Sequence, residues 1–353
     1  MRISLISSWN TDSGGGIHAE FIAREWMKMG HKVSVFSFIK SDFHGKNFLR
    51  EDEPYVTRCF GTPKTNFLDP RPIIKTPLDI LVVEDLGMLP KDKLAKIFPN
   101  LKEKAKAAIN IIHANELSPD PSDYQFDWDK VIVFDERYKE IFKEVYLEKE
   151  IEIIPYPCTF LKKGDKEKAR DKLNLLKNKK IIFTYGWWVR DLVPLLLPIF
   201  PKINQKWPLY FLIVTREKAI KKEYLELRNK GIEVDFREKF IILEELFDYL
   251  HASDVLILGN KRTTGVVISS SALMSIGAGT PIVIPRSNFS ETFKDEVLKY
   301  SNSKELKENI FEVFEKKEKY KKTIKAAEDF VKKNNPKVIA EKYIKLFEKI
   351  RRR

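Results

Sequence analysis

The sequence predicts an α/β protein of two doubly wound domains, each a parallel sheet with helices on both faces, and the two facing a cleft. Three observations predict it. Short apolar runs alternate with amphipathic stretches, the alternation breaks once near the middle of the chain, and it then begins again. A chain of 353 residues also suits two cores at roughly 100–200 residues per domain.

The run "RISLIS" (Arg2 to Ser7) is short and apolar, as a strand buried on both faces requires. After a polar, glycine-containing turn, "IHAEFIAREWMKMG" sets Ile17, Phe21, Ile22, Trp26 and Met29 at helical spacing. Gly30 stops that helix, and "KVSVFSF" (Lys32 to Phe38) resumes as a strand, completing one right-handed strand–helix–strand unit. Further strands are expected near Ile80 to Val83, Ala108 to Ile112, Val131 to Phe134 and Ile151 to Ile154. Around Cys158 to Gly164 the pattern breaks, and "DKEKARDKLNL" opens a charged helix. Strands then follow at "KIIFTYG", "LYFLIVT", "IEVDFR", "DVLILG" and "TPIVIP", with "LEELFDYLHASD" the clearest helix among them. These elements make one Rossmann-like domain over residues 1–158 and another over residues 159–334. In the remaining residues, 335–353, Asn335 and Pro336 start a helix whose apolar stripe (Ile339, Tyr343, Leu346, Phe347, Ile350) docks it on a core.

Composition excludes several classes. Hydrophobic residues are 43% of the chain, enough for two cores, and no apolar run approaches the roughly 20 residues that cross a bilayer. "MRISLISSWN" lacks the long apolar centre of a secretory leader, so a cytoplasmic protein is expected. Cys59 and Cys158 are too few for a disulfide framework or a metal knuckle, and both are expected to pack in the interior. The net charge of +13 suits an anionic partner, but acids and bases are interspersed and reach 33% of residues, which suits solvated helix faces, as in a heat-adapted protein. Peripheral contact with an anionic inner membrane face is a secondary expectation, and no specific nucleic acid is expected.

Ligands of parallel sheets sit beyond the carboxyl ends of the strands. There the first half offers "SSWNTDSGGGIH", in which Gly14, Gly15 and Gly16 let a backbone approach a ligand, with Asp12 and His18 beside them. His113 closes the strand "AINIIHANE" and is a candidate for the site. The second half offers "IIFTYGWWVRD", where Gly186 ends a strand and Trp187 and Arg190 follow; arginine bridges phosphate oxygens and tryptophan stacks on a base or sugar. It also offers the carboxylate-free "TTGVVISSSALMSIGAGTPIV", with Thr263, Thr264, Gly265, Val266 and Ser270 at a helix start. Asp127 and Asp129 in "FDWDKV" precede their strand, the wrong end for a metal–diphosphate site. No metal-ligand cluster and no Ser/His/Asp motif are visible.

Several segments, in order, resemble the GT-B glycosyltransferases, in particular retaining glycosyltransferase family four. They are "SGGGIHAEFIAREWMKMGHKVSVF", "WDKVIVFDERYKEIF" with "IEIIPYP", "ARDKLNLLKNKKIIFTYG", "LEELFDYLHASDVLIL" and "GAGTPIVIP". The resemblance implies an N-terminal acceptor domain, a C-terminal domain holding a nucleotide-diphosphate sugar, and a last helix crossing back to the first domain. It implies catalytic roles for His113 and Arg190. It places Gly15, Gly16, Gly186, Trp187, Arg190, Thr263, Thr264, Gly265, Val266 and Ser270 about the donor, and Asp12, Gly14 and His18 about the acceptor.

The chain also departs from the family. Two glutamates separated by seven residues are usual there; counting back from Gly279 puts Met274 and Val266 at those positions. A lysine usually follows the arginine, where this chain has "DLVPLLLPIF", and "TREK" (Thr215 to Lys218) replaces a glycine-rich turn. The resemblance implies a hexosyltransferase acting on a glycan, lipid-linked or protein-linked hydroxyl, retaining, with no metal and no cofactor beyond its nucleotide-sugar substrate. The missing glutamates leave open a degenerate subunit that binds a glycan or a partner transferase.

Overall fold

A computed structural model describes residues 1–352. The chain divides into two compact units, one comprising Met1–Pro157 together with the segment from Pro336 onward, the other Cys158–Asn335.

The first unit carries a seven-stranded sheet of β1 (Arg2–Ile6), β2 (Lys32–Phe38), β3 (Val56–Phe60), β4 (Ile80–Glu84), β5 (Ala107–Ile111), β6 (Lys130–Val133) and β7 (Ile151–Ile153). All pairs are parallel, in the order β3-β2-β1-β4-β5-β6-β7. β4 and β5 are buried along their whole length, which is why they read as continuous apolar runs. β3 was not expected. It is an edge strand with one neighbour, and its Thr57 and Arg58 break the apolar pattern by which a strand is recognised. The first helix spans Gly14–Lys28, so the three glycines form its opening turn instead of a loop before it, and the Ser13 hydroxyl accepts the Gly16 N–H to cap it.

The helix Pro336–Arg351 packs on that first helix. Its Tyr343 and Phe347 rings stand 5.7 and 5.5 Å from Trp26, whose indole N–H donates to the Ala340 carbonyl at 3.3 Å. Of the expected stripe, Ile339, Tyr343, Leu346 and Phe347 are buried and Ile350 half-buried.

The second unit holds a six-stranded parallel sheet of β8 (Lys180–Tyr185), β9 (Leu209–Thr215), β10 (Glu233–Glu238), β11 (Val255–Ile257), β12 (Ile282–Pro285) and β13 (Leu298–Tyr300), ordered β10-β9-β8-β11-β12-β13. β13 is again an unexpected edge strand, three residues long. Gly279 turns in the left-handed region at φ 74°, and Thr280 donates to the Leu250 carbonyl at 2.6 Å before β12 begins. Cys59 and Cys158 are both buried, and burial pushes each thiol up to about 12, as suits packing residues.

One buried cation organises the start of the second unit. Arg170, on the charged helix Lys166–Leu173, donates to the carbonyls of Ala252 (2.9 Å) and Lys177 (2.8 Å) and to Asp254 Oδ2 (2.9 Å). The same Oδ2 accepts the Ile181 N–H at 2.8 Å, so one arginine–aspartate pair fixes helix, strand and loop together. Removing the guanidinium leaves the Ala252 and Lys177 carbonyls without this donor and Asp254 with Lys166 at 2.9 Å as its cation, so Arg170→Met is expected to cost about 1–3 kcal/mol in urea unfolding, and an unchanged urea midpoint would refute this role.

In the first unit, Glu53 accepts from the indole of Trp9 (2.9 Å) and from Arg24. Burial acts to raise its carboxyl, but these donors outweigh burial and hold it at about 2, below the usual 4.5. A depressed carboxyl stabilises the fold above its unfolded pKa. That contribution is lost as pH falls from about 4.5 toward 2, and Glu53→Gln should flatten the urea midpoint against pH in that window.

Candidate functional site

In each sheet the strand order reverses once, between β1 and β4 in the first unit and between β8 and β11 in the second. Adjacent crossovers leave on opposite faces there, opening a crevice outside the carboxyl ends of the strands.

At the first reversal the chain gathers two histidines around an acid. Glu84 ends β4 and is completely buried. His18, on the glycine-led helix, places Nδ1 3.1 Å from Glu84 Oε1, and His113, just past β5, places Nε2 3.5 Å from Oε2. The Ser7 hydroxyl donates to Oε2 at 3.4 Å. Phe134 and Tyr156 close the pocket, their rings 5.3 and 5.0 Å from that of His18, and the Tyr156 hydroxyl donates to the Gly14 carbonyl at 2.7 Å. Burial works to raise the Glu84 carboxyl, but the imidazoles outweigh it and hold the group ionised, at about 2. Burial drives the His18 imidazole down, against the pull of Glu84, so the ring is kept neutral.

His18, assigned to the acceptor from the sequence, is fully buried, and its nitrogen faces Glu84. The His113 side chain keeps 10% exposure. Asp12 holds the backbone of the following loop, accepting the N–H groups of Lys46 (2.7 Å) and Asn47 (3.1 Å). Gly15 and Gly16 are buried in the opening helical turn and Gly14 is exposed.

At the second reversal, β8 gives way to Gly186, whose φ of 86° suits glycine, and a short turn Trp187–Asp191 follows. Trp187 is 46% exposed. The Arg190 side chain is 55% exposed and pairs with Glu217 at 3.2 Å, so the segment "TREK" supplies its carboxylate partner. The loop after β11 lies against this turn. A Cβ on Gly259 would fall 2.2 Å from the Trp188 carbonyl oxygen, and Lys261 pairs with Asp191 at 2.6 Å.

Asn288 then clamps the next residues. Its Oδ1 accepts the Thr263 N–H (3.1 Å) and its Nδ2 donates to the carbonyls of Thr263 (2.9 Å) and Gly265 (2.7 Å). Thr264 and Gly265 are exposed, Val266 is buried, and Ser270 opens a helix of six residues, Ser270–Ser275, capped by Ser269. The Thr263 amide is taken up by Asn288. Tyr185, ending β8, donates to the Ser271 carbonyl at 3.0 Å and ties the strand to this helix.

Sequence reasoning missed Glu84, Glu217, Gly259 and Asn288. Only Glu84 left a signal, an acid ending the apolar run "LDILVVED"; its histidine partners lie 66 residues upstream and 29 downstream (84 − 18 and 113 − 84). Asp129 accepts the Ala108 N–H at 2.7 Å and pairs with Lys102 at 2.6 Å, at the amino end of β6.

No family model matches the chain. Among solved structures it is similar to the sucrose-phosphate synthase of Thermosynechococcus elongatus, with a TM-score of 0.72, 16% identity, and 99% of each chain covered. A glycosyltransferase from Rickettsia africae gives 0.70 and 15%, covering 99% of this chain and 98% of the other. The HepE protein of Anabaena, in complex with UDP and glucose, gives 0.68 and 13%, covering 99% and 100%. The fold is therefore that of the two-domain GT-B glycosyltransferases. Among the described residues, no helix is long and apolar enough to cross a membrane.

Gly259→Ala is expected to push the β11 loop off the Trp188 carbonyl, and Asn288→Ala to release residues 263–265. Hydrogen exchange should then quicken in those loops while β8 and β9 stay protected; unchanged exchange in the loops would contradict the clamp.

Proposed function

We propose that the protein is a glycosyltransferase that moves a hexose-type sugar from a nucleotide diphosphate to a hydroxyl of a glycan, lipid-linked or protein-linked acceptor. One observation carries the reading: at the reversal point of the second sheet, a glycine turn bearing an exposed tryptophan and an exposed arginine is joined to a preorganised polar loop. The chemistry this arrangement suits is electrostatic. A diphosphate leaving group develops charge as the glycosidic bond breaks, and the Arg190 guanidinium, exchanging Glu217 for phosphate oxygens, stabilises it. Trp187 stacks on the base or sugar, and Thr264, Gly265 and Ser270 line the diphosphate side. On the acceptor unit, His113 offers the sugar its exposed ring edge, and Gly14 marks the acceptor side. Burial of His18 moves it from acceptor contact to support of Glu84 and His113.

Transfer is proposed to retain configuration, with the departing diphosphate accepting the acceptor's proton, so that neither a protein base nor a metal at the diphosphate is required. Uridine diphosphate sugars are the first donors to test, since HepE was solved with UDP and glucose and an Escherichia coli trehalose-phosphate enzyme with a fluorinated UDP-glucose.

A second reading has its own support. Val266 is buried where a donor-gripping glutamate is usual and Met274 takes the other position, as in a subunit that binds a glycan or partner transferase without chemistry.

A panel of nucleotide sugars, followed for binding and for release of nucleoside diphosphate, tests both readings. Turnover with at least one donor is expected, and Arg190→Ala should lower kcat about 100- to 1,000-fold, as for loss of one charge-stabilising donor. Neither binding nor hydrolysis across the panel would sink the transferase reading; binding without turnover, unchanged in Arg190→Ala, would select the second.

A further inference from the structure

We propose that His18, Glu84 and His113 form a binding site for a single divalent transition-metal ion, zinc by preference, inside the first unit. The geometry argues for it. One ligand atom from each of the three side chains lies within 4.8 Å of the other two. A tetrahedral ion with bonds of about 2.0–2.1 Å holds neighbouring ligand atoms about 3.3 Å apart. The two imidazole-to-carboxylate separations, 3.1 and 3.5 Å, bracket that edge. Each nitrogen addresses its own carboxylate oxygen, so a small rotation of Glu84 presents one oxygen, or both, to an ion between the rings.

Charge argues the same way. The Glu84 carboxylate is wholly buried with His18 among Phe134, Tyr156 and Tyr343, a setting in which an uncompensated charge is expensive. A dication neutralises that charge and leaves the site net positive. Three buried polar atoms of this cluster also lack a hydrogen-bond partner: Nε2 of His113, which becomes a ligand, Nε2 of His18, and the hydroxyl of Tyr343, whose ring stands 6.2 Å from His18.

Two imidazoles and one carboxylate favour zinc over magnesium or calcium, which take oxygen ligands. The Ser7 hydroxyl, bonded to Glu84, supplies the outer contact that orients a ligating carboxylate. The ion's role is structural: it joins the first helix to the ends of β4 and β5 and fixes the His113 ring. It takes no part in holding the diphosphate, so the inference stands or falls apart from the transferase reading.

The test is metal content, which needs no substrate. Untagged full-length protein, purified without chelator, should carry zinc in near-equimolar amount by mass spectrometry; His113→Ala and Glu84→Gln should lose it. Stripping with a chelator should lower Tm, and Zn²⁺ should restore it. Because loss of Glu84 leaves the buried His18 imidazole without its hydrogen-bond partner, the wild-type chain gives an independent readout: Co²⁺ added to stripped protein should show the visible absorption of a low-coordinate nitrogen–oxygen site. A metal-free preparation whose Tm responds to neither Zn²⁺ nor Co²⁺ overturns the proposal, as does stoichiometric zinc retained unchanged in both variants.

Discussion

A parallel sheet built by right-handed crossovers on both faces must reverse its strand order somewhere, and at that reversal no connection covers the strand ends. This constraint acts twice here, at β1/β4 and at β8/β11, and it decides where chemistry can reside. Elsewhere the strands are enclosed by helices, and their residues are committed to packing: Ile109, Val131, Phe211 and Ile213 are each fully buried. At the two reversals, residues such as Trp187, Arg190 and His113 combine a defined backbone position with access to solvent.

The two units handle buried acids differently. Asp254 meets a permanently charged guanidinium, which also satisfies two carbonyls, so the cluster is closed and its task is to hold the unit together. Glu84 meets two titratable rings and a hydroxyl, a weaker and more adjustable set of partners. A guanidinium offers no lone pair to an ion and an imidazole does, so of the two clusters the one around Glu84 is the one suited to a metal ion.

Most of the fold was legible because parallel strands buried on both faces announce themselves as apolar runs; "LYFLIVT" is buried at every position of β9. What escaped were two of the four edge strands. β3 and β13 each pair on one side only, so Arg58 and Lys299 are tolerated and the apolar signal fades. The three glycines suggested an open loop, whereas a capping hydroxyl at Ser13 was enough to begin the helix among them. The exposure of Trp187 and Arg190 was readable because both lie in the turn that follows a strand's carboxyl end. The groups that position others were not. Asn288 clamps a loop 25 residues earlier and Glu217 meets an arginine 27 residues earlier, and no local pattern encodes such pairings.

The packing of Trp26 against Tyr343 and Phe347 carries a consequence for how the molecule is made. The first unit keeps an apolar face uncovered until a helix more than 300 residues downstream arrives to close it. Synthesis runs from the amino end, and domains fold as units when their residues are available. The second unit, contiguous from Cys158 to Asn335, is therefore the first whose own core can be complete, although it is made later. Until the last helix has been made, Trp26 lacks the Tyr343 and Phe347 rings that cover it in the finished unit.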